Sequence, residues 1–104
     1  MTGETTSRIT VRNGTPDPLR VIFEPWCEEY QLEPGAAYIL EGTSPRPGNL
    51  TVEYGSDDVT VYAWDGCIAR IYDAGGQLLD SIDIRVPDFT ELDRARGKNR
   101  DAAV

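Results

Sequence analysis

Apolar residues recur at every second position along most of this chain, and β-branched and aromatic types fill the repeating positions. That is the pattern of strands with one face in a core. Ile9 and Val11 share a face in a first strand over residues 8–13, and Leu19, Val21 and Phe23 resume the alternation after Asn13-Gly14-Thr15-Pro16-Asp17-Pro18, a run of turn formers that interrupts pairing. Pro25 ends the second strand, because proline cannot donate to a ladder. Tyr30 and Leu32 mark a short third strand, with Glu28, Tyr30 and Leu32 on one face and Cys27, Glu29 and Gln31 on the other.

Glu33-Pro34-Gly35-Ala36 reads as a turn, proline pre-set at the second position and glycine free to take positive φ at the third. A fourth strand follows over Tyr38 to Glu41, then an exposed loop from Gly42 to Asn49, then a fifth strand through Leu50, Val52 and Tyr54. Two alternating runs, 59–64 and 67–72, flank Asp65-Gly66. This spacing predicts a two-residue type I′ hairpin. In that register Tyr62 faces Ala69 and Trp64 faces Cys67, and the turn at Asp73-Ala74-Gly75-Gly76 adds Leu78 to Ile84 as a third consecutive antiparallel strand. After Pro87, Asp88 and Glu91 form a capping box for a short helix with Phe89 and Leu92 on one face, followed by a disordered tail.

The expected fold is all-β: a small antiparallel β-sandwich of seven or eight short strands, with a small β-barrel as the alternative. At 104 residues there is room for one core. Residues 1–89 are read as the sandwich domain and 90–104 as a partly disordered C-terminal extension.

Hydrophobic residues make up 39% and charged residues 27% of the chain, and its formal net charge is −8. The acidity repels phosphate backbones and anionic lipid and attracts basic partners. Neither nucleic acid nor a membrane is expected as a partner. With no basic-then-apolar leader and no apolar run of spanning length, the expected location is the cytoplasm, where Cys27 and Cys67 would be free thiols. Every basic residue except Lys98 is arginine, a bias associated with GC-rich bacterial genomes.

The chain has no histidine, which removes the commonest general base and metal ligand. No glycine-rich phosphate loop or nucleophile elbow occurs, and no calcium or zinc ligand pattern is complete. No enzyme activity, cofactor or metal is expected. The adjacent acids Glu28-Glu29 and Asp57-Asp58 point to opposite faces of a strand and do not converge on a substrate.

The residues singled out for binding are Trp26, Glu28 and Tyr30, with Tyr62 and Trp64. Trp26 either presents its ring to a basic or hydroxylated ligand or caps the core. Tyr62 and Trp64 lie opposite Val59, Val61 and Ala63, and that face is either covered by Phe89 and Leu92 or exposed for contact. The leading expectation is a non-enzymatic binding or interaction module with a protein partner, a monomer or weak homodimer itself. The alternatives are an acidic inhibitor or immunity-type protein that neutralises a basic partner, and a carbohydrate-binding module.

Overall fold

A computed structural model describes residues 3–87. Eight strands cover most of them: β1 (Thr5–Arg12), β2 (Leu19–Glu24), β3 (Glu28–Leu32), β4 (Ala37–Ser44), β5 (Thr51–Tyr54), β6 (Asp58–Tyr62), β7 (Ile68–Asp73) and β8 (Leu78–Ile82). They form two four-stranded sheets, β1-β4-β7-β8 and β3-β2-β6-β5. Over the described residues the architecture is all-β and sandwich-like, and no barrel closes. The helix expected after Asp88, with Phe89 and Leu92, lies outside the described residues. Among the described residues no helix is long and apolar enough to cross a membrane.

The expected alternation builds the core. Val21, Phe23, Leu32, Val59 and Val61 point inward from one sheet and meet Val11, Leu40, Ala69, Ile71 and Ile82 from the other, with Leu50 among them. Burial of this set is the main favourable contribution to folding. Turn chemistry places the strands around it. Gly35 takes φ +80° in the turn closed by Ala36 N–H donating to Glu33 O at 3.0 Å. Asp73 Oδ1 accepts from the backbone N–H groups of Gly75 and Gln77 at the β7–β8 turn.

The connection between β6 and β7 departs from the expected hairpin. β6 pairs with β5 and β2, whereas β7 pairs with β4 and β8 in the other sheet. Tyr62 lies opposite Glu24 and Thr51, and Ala69 opposite Gly42 and Ile82. The two residues are not partners. Residues 63–67 are therefore an arch that carries the chain from one sheet to the other. Burial explains the choice: Val59 and Val61 on one arm and Cys67, Ala69 and Ile71 on the other are all buried. In a hairpin closing at Asp65-Gly66 those two sets fall on opposite faces, and one would be left in water. The arch turns both inward.

Two further expectations are corrected. Pairing is not purely antiparallel, because β2 and β6 run parallel; they come from separate passes of the chain through this sheet, with β4 in the other sheet between them. Gly42, Thr43 and Ser44 belong to β4 rather than to a loop. Gly42 is small because the space before it is filled: a Cβ there would meet Leu50 and Trp64 at 3.1 Å and Cys67 at 3.3 Å.

Candidate functional site

Each singled-out residue can now be placed. Pro25, after a cis Glu24–Pro25 bond, opens the bend between β2 and β3, and Trp26 folds back from it onto the end of the core. Its ring meets Phe23 edge-on at 5.0 Å between centroids. Its indole N–H donates to Ile84 O at 2.7 Å. Trp64 is tied down in the same way, donating to Arg46 O at 2.8 Å. Gly48 lies so close to that ring that a Cβ there would collide with it. Both tryptophans are half-buried and packed against the core, with their only polar group engaged.

Tyr30 sits on the edge strand β3, with its ring edge-on to Tyr38 at 6.1 Å and its hydroxyl donating to Asp80 Oδ2 at 2.9 Å. Burial, then the bond to Asp80, push its phenol well above the ordinary range. It bridges the two sheets at their margin. Beside it lies a hollow of about 490 Å³ lined by Pro18, Arg20, Glu29, Tyr30, Gln31 and Asp57. Glu28, two residues before Tyr30 on the same strand, is exposed. The structure thus brings Trp26, Glu28 and Tyr30 to one end of the β3 edge, sets Tyr62 on the outer face of the same sheet, and leaves Trp64 apart in the arch.

The outer faces of the two sheets differ in charge. In β2 and β6 the residues alternating with buried Val21, Phe23, Val59 and Val61 are Arg20, Ile22, Glu24, Asp58, Thr60 and Tyr62. Glu29 on β3 and Glu53 on β5 lie in register with Ile22 and Thr60. This face carries four carboxylates and one arginine. Arg20 is already shared between Glu29 (3.6 Å) and Asp58 (3.2 Å). Tyr62 lies at the edge of this face, 38% exposed.

Among the described residues, the strands of the β1-β4-β7-β8 sheet carry Arg8, Arg12 and Arg70 and one acid, Glu41, at outward positions. Glu41 stands in register between Arg8 and Arg70, is only 6% exposed, and is neutralised by Arg8 Nε at 2.6 Å. Tyr72 donates to the same carboxylate at 3.4 Å, and the Arg8 guanidinium lies 5.9 Å from its ring centroid. Ile39, in register with Tyr72, gives this face an apolar centre.

Both cysteines are free, Cys27 exposed and Cys67 buried. Hydrogen bonding to the Glu24 carboxylate raises the Cys27 thiol above its usual value, and burial raises that of Cys67. Both shifts favour the protonated thiol. Among the described residues no group of three or more histidine, cysteine or acidic side chains is placed to hold a metal. The sorting of charge between the two faces is not legible in the sequence, because it depends on which strands share a sheet.

The fold and these surfaces define the class: an eight-stranded, two-sheet β domain with one acidic and one basic outer face. No protein-family model, curated protein or solved structure matches the chain.

Proposed function

We propose that this protein is a non-catalytic interaction module that receives a basic protein partner on the outer face of its β3-β2-β6-β5 sheet. The observation that carries the reading is the concentration of Glu29, Glu53 and Asp58 on that face, with the half-buried Glu24 behind them, against the single Arg20 among the described residues. Complementary charge steers encounter and fixes orientation, and Tyr62, with Ile22 diagonal to it, supplies the apolar contact that charge alone lacks. Glu28, at the end of β3, extends the acidic edge. Trp26 and Trp64 are left out of this contact, since both indole N–H groups are engaged within the fold. A cytoplasmic location is in keeping with the two free thiols.

The test is the affinity for a fluorescently labelled oligoarginine peptide. Replacing Glu29 and Glu53 with glutamine should weaken binding about three- to tenfold, the scale of two exposed charge contacts. The same change in net charge at exposed Glu33 and Asp83, to Gln and Asn, should leave it close to wild type. Equal weakening by both pairs would mean that net charge acts without a face, and the reading fails.

A further inference from the structure

We propose that a second copy of this chain is a partner of the acidic face, so that the protein stacks head to tail through its two outer sheet faces. The inference rests on the acidic-face reading above, because that face is one half of the contact. It adds the other half from a different observation. In a chain of net charge −8, Arg8, Arg12 and Arg70 all emerge on the opposite outer face, where the one acid among the described strand positions, Glu41, is buried and already paired.

The two surfaces correspond in more than sign. Each is the outer side of a four-stranded sheet. Each also pairs an isoleucine with a tyrosine among its charges: Ile39 in register with Tyr72 on the basic face, and Ile22 diagonal to Tyr62 on the acidic one, through the Ile22–Thr60 and Glu24–Tyr62 partners. A crevice of about 110 Å³ lined by Arg8, Ile39, Tyr72 and Gly76 marks the basic face. Tyrosine and arginine are the residue types that anchor protein interfaces.

Net charge opposes association at long range, but at physiological ionic strength charges more than about 8 Å apart are largely screened. The facing arginines and carboxylates lie within that distance when the faces meet, and most of the remaining acids do not. Because one face differs from the other, the contact is heterologous, and assembly grows with concentration instead of stopping at a symmetric dimer.

The experiment is sedimentation velocity at physiological ionic strength, from micromolar to millimolar protein. The wild type should show an average mass that rises with concentration. Arg70→Glu, which breaks the basic face, and Glu29→Arg/Glu53→Arg, which breaks the acidic face, should each remain monomeric alone, and their equimolar mixture should associate again. Recovery in the mixture also shows that both variants are folded. A wild type that stays monomeric at millimolar concentration, or association that survives either reversal, or a mixture that does not recover, overturns the proposal. The oligoarginine peptide at micromolar protein separates this from the underlying reading. Arg70→Glu should bind it as the wild type does, so a monomeric wild type that still takes the peptide defeats only the stacking.

Discussion

Asn13 shows how much a single side chain can hold. It is fully buried, and its Nδ2 donates to Asp17 O at 2.7 Å and Leu32 O at 2.9 Å. Its Oδ1 accepts from the backbone N–H of Thr15 at 2.9 Å and from the Thr15 hydroxyl at 2.7 Å. The turn-forming character of Asn13-Gly14 is plain in the sequence, but nothing there shows that the amide also reaches β3, since that bond depends on the β3–β4 turn returning beside it. Asn13→Ala leaves Leu32 O buried without its donor, and unsatisfied groups of this kind cost about 1–3 kcal/mol each. Urea unfolding should therefore show a loss of at least that size. Tyr30 carries a pH signature. Its phenol is raised in the folded state by burial and by Asp80, so the folded form holds its proton more tightly than the unfolded form. The associated stability is complete below the unfolded tyrosine value of about 10 and declines as pH rises beyond it. Stability measured across that range should fall less steeply for Tyr30→Phe than for the wild type. Gly48→Ala, which drives a methyl group into the Trp64 ring, should cost about 1–3 kcal/mol as overpacking does, with a shift in tryptophan fluorescence to report it.

At the scale of elements, the strands were legible, as was the antiparallel β7–β8 pairing across the Asp73–Gly76 turn, but the other partners were not. Alternation marks which residues of a strand face the core, and Val21, Phe23, Leu32, Val59, Val61, Ala69 and Ile71 are all buried as that pattern requires. It says nothing about which sheet a strand joins. The two-residue signal at Asp65-Gly66 located the turn correctly, with Cys67 N–H donating to Trp64 O at 3.2 Å. The turn type differs, because Gly66 has φ +79° while Asp65 is not among the residues with positive φ. One positive φ at the third position is the type II form, whereas type I′ needs two. The difference is testable. Proline fits the second position of a type II turn and is excluded from that of type I′, so Asp65→Pro should change stability by less than about 1 kcal/mol. A collapse of the fold in that variant would favour the hairpin and contradict the arch.

For the whole molecule, the acidity of the chain was visible in its composition, and a basic partner was a fair expectation from it. The faces were not visible, since Arg8, Glu41 and Arg70 become neighbours only through the β1–β4 and β4–β7 registers. The surroundings of the tryptophans were not visible either: a tryptophan beside a turn reads alike whether its indole N–H meets a ligand or a backbone carbonyl, and here Ile84 and Arg46 supply the carbonyls. The binding surface proposed above is the acidic sheet face, and backbone amide shifts test it directly. Titrating the oligoarginine peptide into isotopically labelled protein should perturb the amides of β2, β6 and the flanking Glu29 and Glu53, with Tyr62 among the largest changes and β1 and β7 unmoved. Shifts confined to the bend at Trp26 and the arch at Trp64, or spread evenly over both sheets, would contradict an acidic sheet face as the binding surface.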